Sequence, residues 1–280
     1  MYAIGFLGLI IIIANGLASY KAFKDYAFYQ GCTFRTDRIL IAKEYKRLIT
    51  SGFVHVSWMH LIFNMVSLYA FSGMLEESIG GVNFLLIYFG SLLGGNLFSL
   101  YIHRNHGDYS AVGASGAVSG VIFASIALFP GMDLSLILLD FPIPSWVFAI
   151  LFVAISIRGI QSQKDNIGHD AHLGGGVIGM LIAIALYPHV LEFNPLVIAL
   201  VLVPTIAFIY LIITRPEILI LGSANKKPDY LTKDDRYNSL RKQKQIDIDS
   251  ILDKISEKGI DNLTQEEKRI LEDYSGKDEG

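Results

Sequence analysis

Ala111-Val112-Gly113-Ala114-Ser115-Gly116-Ala117-Val118-Ser119-Gly120 is the stretch on which the reading of this chain turns. It opens an apolar run that continues to Phe129. Gly113 and Gly116 leave the backbone bare around Ser115, so another chain segment can come close. Gly116 and Gly120 fall on one helix face at the small-xxx-small spacing that lets two membrane helices touch. If a second helix brings a base to that face, Ser115 is a nucleophile. If none does, it is a small packing residue, which is the commoner role of serine in such runs.

Composition sets the surroundings. Of 280 residues, 52% are hydrophobic and 18% charged. Mean hydropathy is +0.45, and the apolar residues come in long blocks, the pattern of an integral membrane protein. The net charge of −3 says little, because charge is segregated into one early loop and the tail. Cys32 is the single cysteine, which excludes an intrachain disulfide framework and a cysteine-based metal site. The first apolar block has neither a basic leading region nor a small-residue cleavage signature, so it reads as a retained span.

Seven spans are predicted, at about 2–19, 58–75, 82–101, 113–129, 144–157, 168–187 and 195–213. The loop from Lys21 to Ser57 is basic and rich in aromatics, as suits a segment at the headgroup level. Glu76, Glu77 and Gly80 read as a turn, Pro130-Gly131 as a helix stop, and Arg158 to Asn166 as a polar connection. Two domains follow: a transmembrane domain at 1–213 with its core at about 44–187, and a charged soluble tail at 214–280. Helical periodicity runs from Ile251 to Tyr274, where Thr264 and Glu267 form a capping pair.

Polar groups inside a membrane are costly and usually functional. His60 and Asn64 share one helix face, and so do His172, Gly175 and Gly179. The glycine stripe that permits close contact therefore also carries an imidazole. Facing the Gly116-xxx-Gly120 stripe, it would bring His172 within hydrogen-bond reach of Ser115, a serine–base pair without an obvious carboxylate. The Asn64 amide, the His60 N–H and the Ser115 backbone N–H could then stabilise an oxyanion. Each residue alone has a structural reading as an interhelical hydrogen-bond partner. His55 and His169, at the helix mouths, read as structural or interfacial, Arg47 as a headgroup or loop anchor, and Ser119 and Ser125 as packing residues or as hydroxyls bonded back to their own helix. The joint occurrence of three motifs on three spans favours chemistry.

Those motifs resemble the rhomboid family of intramembrane serine proteases, from about Glu44 to Tyr187. Gly113-Ala-Ser-Gly116 resembles the family's serine motif, and Ala171-His-Leu-Gly-Gly-Gly-Val-Ile-Gly179 its histidine motif. The resemblance implies Ser115 as nucleophile, His172 as base, and His60 and Asn64 as oxyanion donors, with Gly113, Gly116, Gly175 and Gly179 in support. Glu44 and Arg47 resemble a loop motif in which the position of Lys46 is usually tryptophan. Ser119 stands where related proteases carry an aromatic that stacks on the catalytic histidine. The tail near Leu263 to Tyr274 resembles a short motif of some bacterial members.

The fold so implied is an all-α membrane protein: a rhomboid-like six-helix core, a seventh transmembrane helix and a short soluble helical tail. The implied activity is serine endopeptidase cleavage of membrane-anchored proteins within or beside a transmembrane segment, through an acyl-enzyme. The expected partners are transmembrane protein substrates and membrane lipid, without nucleic acid and without a cofactor or metal. The implied location is a bacterial cytoplasmic (inner) membrane. The fifth span and the connection after it are expected to form a gate and cap. Charge distribution puts the early loop and tail in the cytoplasm, whereas the family's usual topology puts them outside; the family topology is the one adopted. An inactive rhomboid-like protein that binds or guides membrane proteins is the alternative function. A metalloprotein using His55, His60, His169 and His172 and a transporter are further readings. The metalloprotein lacks a His-Glu-xx-His motif, and the transporter lacks a polar path across the membrane.

Overall fold

Apolar runs long enough to cross a membrane have no way to satisfy their backbone there except as helices, and helices dominate. The computed structural model describes residues 4–134, 143–162, 167–214, 251, 254–255 and 263. The chain divides into two units, Met1–Leu221 and Gly222–Gly280. The first contains every element described below. The capping pair predicted at Thr264 and Glu267, and Asn166 at the end of the predicted polar connection, lie outside the described residues.

Helix α1 spans Phe6–Lys24. The basic loop that follows is structured. It holds α2 (Tyr26–Cys32), strand β1 (Phe34–Arg35), α3 (Thr36–Leu40), α4 (Arg47–Thr50) and a 3-10 turn (Ser51–Phe53). Then come α5 (Trp58–Ile79), α6 (Gly81–Ile102), β2 (Ser110–Ala111) and α7 (Ser115–Leu128). A two-residue pair, β3 (Asp133–Leu134) and β4 (Ile143–Pro144), leads into α8 (Ser145–Ser162). The last described elements are α9 (His169–Leu186), α10 (Val190–Phe193) and α11 (Pro195–Thr214).

Helices α1, α5, α6, α9 and α11 are long and apolar enough to cross a membrane. Helix α7 and the apolar part of α8 are shorter. Their surfaces are those of a protein solvated by lipid. Phe6, Leu17, Phe63, Val82 and Leu196 are exposed, whereas every residue of α7 from Ser115 to Ala127 is buried. Helix α7 is thus the axis of the domain, packed against α5, α6 and α9. At about 1.5 Å per residue its 14 residues reach about 21 Å, less than the ~30 Å hydrocarbon thickness.

Two boundaries differ from the sequence reading. Glu76 and Glu77 are not a turn but belong to the last turn of α5; the stop is Gly80, whose φ of +79° suits glycine. The Glu76 carboxylate accepts from the N–H groups of Leu7 and Gly8, each at 2.9 Å, at the start of α1. A carboxylate there satisfies two orphan donors and meets the positive end of the helix dipole, so the polar pair is used rather than exposed. Finally, Arg158 to Ser162 is not connection but the end of α8.

Arg47, for which the sequence offers the roles of headgroup or loop anchor, is buried. Its Nη1 donates to the carbonyls of Gln30 and Thr33, both at 2.7 Å, and its Nε to Glu44 at 2.5 Å. Of the two roles it has the second: one guanidinium ties three parts of the loop together.

Candidate active site

The segment before Ser115 is irregular backbone, tolerated at a membrane protein's core only where protein satisfies it. Every turn of it is tied to the early loop. Strand β2 pairs antiparallel with β1, with Phe34 opposite Ala111. The Gly113 N–H donates to the Ser51 carbonyl at 2.9 Å, and the Ala114 N–H to His55 Nε2 at 3.3 Å. Because Nε2 accepts, the proton of the neutral His55 ring is on Nδ1, where it reaches Ser19 Oγ at 2.9 Å. Ser19 passes its own proton to the Phe53 carbonyl at 3.1 Å. His55 is fully buried. Burial chiefly, and the charge of His60 secondly, take its pKa down to about 3, which keeps it a neutral acceptor.

Gly113 has φ of +128°, which β-carbon-bearing residues avoid. It also faces the site: a methyl there would stand 2.6 Å from His60 Cε1 and 3.5 Å from Ser115 Oγ. A side chain at this position would push the imidazole away from the serine. Ser115 begins α7, so its N–H has no acceptor within the helix. Asn64 is buried and gives one amide hydrogen to the His60 carbonyl at 2.9 Å. Its second amide hydrogen is the one a ligand can take. His60 packs edge-on against His55, with centroids 4.9 Å apart.

The two glycine stripes face each other. A methyl at Gly116 would lie 3.3 Å from the Ala171 carbonyl oxygen, and one at Gly175 would overlap the Gly116 carbonyl. Gly179 meets Gly120 in the same way. The backbone contact between Gly116 and Ala171 therefore joins the neighbours of Ser115 and His172. Gly95 of α6 completes the close packing, its methyl position being 2.5 Å from the Ala171 oxygen.

His172 is buried, and its Nε2 has no hydrogen-bond partner. The hydrogen bond to Ser115 anticipated from the stripes is thus not made in this state. Its Nδ1 is 3.2 Å from Ser156 Oγ of α8, and the Phe152 ring lies 5.3 Å from the imidazole at 32°. His169 packs edge-on from the other side at 5.1 Å, seated where Gly159 of α8 has no side chain. The four histidines form two such pairs, and no metal-holding group of three His, Cys, Asp or Glu is found among the described residues. Ser119, where an aromatic is usual, is fully buried and donates to the Ser115 carbonyl at 2.5 Å.

A narrow crevice of about 10 Å³, room for about one water, lies at Ser115 and is lined also by Ser51, Asn96, Gly113 and Gly168. Asn96 donates to the Leu48 carbonyl at 2.7 Å and to Ser51 Oγ at 3.3 Å. Sequence reasoning passed over Asn96, Phe152 and Ser156. Asn96 carried a signal, being an amide within an apolar span. Phe152 and Ser156 carried none beyond their shared helix face.

Helix α7 is buried among longer spans, with Ser115 as its first residue. Residues 42–189 match the rhomboid domain, and the chain belongs to the rhomboid family. Residues 231–277 match a family of unknown function. The chain is similar to rhomboid protein 1, mitochondrial, of Saccharomyces cerevisiae, at 34% identity over 51% of this chain and 43% of the yeast protein. It is 34% identical to the putative rhomboid protease YdcA of Bacillus subtilis, over 48% of this chain and 65% of that one. With the rhomboid protease AarA of Providencia stuartii it shares 30% identity over 65% of this chain and 72% of AarA. Against the yeast protein and RHOMBOID-like protein 12, mitochondrial, of Arabidopsis thaliana, it spans about half of the relative's length.

Proposed function

We propose that this integral membrane protein is a serine endopeptidase that cleaves membrane-anchored proteins within or beside a transmembrane segment. The observation that carries the reading is the contact of Gly116 with Ala171, which sets Ser115 and His172 on adjoining backbone while His172 Nε2 has no other partner. Kinship with proteins named rhomboid proteases supports it.

Ser115 Oγ gives its proton to His172 Nε2 as it attacks the scissile carbonyl carbon. The carbonyl oxygen becomes an oxyanion, held by the Ser115 N–H, the Asn64 amide and His60. The imidazolium then returns the proton to the leaving amine as the C–N bond breaks, leaving an acyl-enzyme on Ser115. Water repeats the sequence, with His172 taking its proton, and frees Ser115. The missing Ser115–His172 bond fits a resting enzyme, since catalytic hydrogen bonds often tighten only with substrate bound. The crevice at Ser115 has room for about one water.

The membrane we propose is the bacterial cytoplasmic membrane, supported by kinship with bacterial proteases; fractionation of the source cells tests it against the mitochondrial membrane named for other relatives.

Labelling of the detergent-purified chain by a fluorophosphonate probe, beside Ser115→Ala and His172→Ala, tests the activity. Labelling that vanishes in Ser115→Ala and falls strongly in His172→Ala is the expected result. A folded wild type that neither labels nor cuts a transmembrane reporter overturns the reading in favour of a binding protein without catalysis.

A further inference from the structure

On the reading of His172 as the base, we propose that Phe152 and Ser156 of α8 are positioning residues that hold its imidazole in the proton-accepting tautomer.

Ser156 is buried, and its hydroxyl has one hydrogen. Ser156 Oγ lies 2.9 Å from the Phe152 carbonyl, a pure acceptor, so that hydrogen is spent within α8. Its contact with His172 Nδ1 at 3.2 Å must then have the ring as donor. With the proton on Nδ1, Nε2 is left a lone pair, and Nε2 is the nitrogen without a partner. The opposite tautomer would set two lone pairs against each other at Nδ1 and carry a proton on the side where one must be accepted. Ser156 thus does for this ring what a carboxylate does in a serine–histidine–aspartate triad, by hydrogen bonding alone and without charge.

Phe152 supplies the second constraint. Residues 152, 156 and 159 fall on one face of α8 and meet His172, His172 and His169 respectively. The Phe152 ring limits the tilt of the imidazole while Ser156 fixes its rotation. Ser119 of α7, bound to its own helix at the Ser115 carbonyl, leaves that task to α8.

The test uses the full chain in detergent, with nitrogen-15 in the histidine rings. Imidazole NMR of the wild type, with His172→Gln to assign the signal, is expected to show the Nδ1–H tautomer. Ser156→Thr keeps the hydroxyl and Ser156→Val is its isostere without one. Threonine is expected to keep the tautomer and valine to lose it. Reporter cleavage by Ser156→Val should fall below that of Ser156→Thr by roughly 3–10-fold, the equivalent of one hydrogen bond, in kcat rather than KM. Phe152→Leu should broaden the ring signal without changing the tautomer. An Nε2–H tautomer in the wild type overturns the proposal, and so does a valine variant that matches threonine in NMR. Because the tautomer is read without turnover, a wild type that proves inert would overturn the protease reading and leave this result standing.

Discussion

The Ala114 N–H, one residue before Ser115, donates to Nε2 of a histidine fully shut from solvent, His55, at 3.3 Å. That acceptor exists only while the ring is neutral. The folded pKa is about 3 against 6.5 for an ordinary histidine. Between these values the unfolded chain binds the proton and the folded chain does not, so stability falls as pH drops below 6.5 and levels off near 3. The steepest slope from this one group is about 1.4 kcal/mol per pH unit. Thermal unfolding in detergent across pH 7.5 to 4 should show this dependence, and His55→Ala should flatten it. The variant should also be less stable at pH 7.5, by about 1–3 kcal/mol, because the Ala114 N–H loses its acceptor. An equal pH slope in both proteins would assign the acid sensitivity elsewhere.

The glycine stripes give a prediction that distances grade. A methyl at Gly175 overlaps the Gly116 carbonyl, and backbone cannot move aside as a side chain can. At Gly116 the nearest atom is 3.3 Å away, a gap closed by a few tenths of an ångström. Gly175→Ala is expected to destabilise by roughly 1–3 kcal/mol, and Gly116→Ala by less. Paired unfolding measurements in detergent check the order. The reverse order would mean that α7 and α9 do not meet along these stripes.

The helical spans, and the facing of Gly116 and Gly120 toward Gly175 and Gly179, were legible because both are local signals. Apolar run length and a spacing of four need no knowledge of the rest of the fold. The contacts that were not legible join helices through side chains with no periodic signature. Glu76 reaches Leu7 and Gly8 across 69 and 68 residues. Ser156 reads as one more small residue in an apolar helix until packing sets it beside His172. For Arg47 the sequence leaves headgroup and loop anchor open, because it shows the charge and not the carbonyls of Gln30 and Thr33 around it.

Glu76 supports a prediction of its own. Its two oxygens serve two N–H groups in the first turn of α1, and that helix lies outside residues 42–189 of the rhomboid match. Glu76→Ala is expected to cost about 0.5–2 kcal/mol, the range for a lost helix cap. Glu76→Gln should cost less, since one amide oxygen still accepts. Hydrogen exchange at Leu7 and Gly8 should accelerate in Glu76→Ala while exchange in α7 stays at the wild-type rate. Acceleration in α7 as well would make α1 part of one cooperative unit with the site.

Arg47 is the case where charge alone does not suffice. Its fork meets the Gln30 and Thr33 carbonyls through one nitrogen and Glu44 through another. A lysine ammonium is a single point and cannot hold both directions. Arg47→Lys is therefore expected to destabilise nearly as much as Arg47→Ala, at about 1.5–3 kcal/mol for each charge-assisted bond lost. Unfolding of the two variants in detergent decides it. A lysine variant as stable as wild type would show that position 47 needs only a positive charge.

Ser119 offers the sharpest test of how the histidine is supported. The position is fully buried and its hydroxyl is engaged by the Ser115 carbonyl, so a tyrosine there has neither room nor a partner. Ser119→Tyr should lower stability by roughly 1–3 kcal/mol through overpacking, and reporter cleavage should not rise. The aromatic against His172 now comes from α8, as Phe152 at 5.3 Å. If a ring entering from α7 needs the space that this ring fills, Phe152→Ala should relieve part of the tyrosine's cost. The double variant would then be more stable than the sum of the single effects by at least about 0.5 kcal/mol. Strict additivity would mean that the two aromatics never compete for one face of the imidazole. Phe152 would then be a neighbour of His172 and not the substitute for the missing ring on α7.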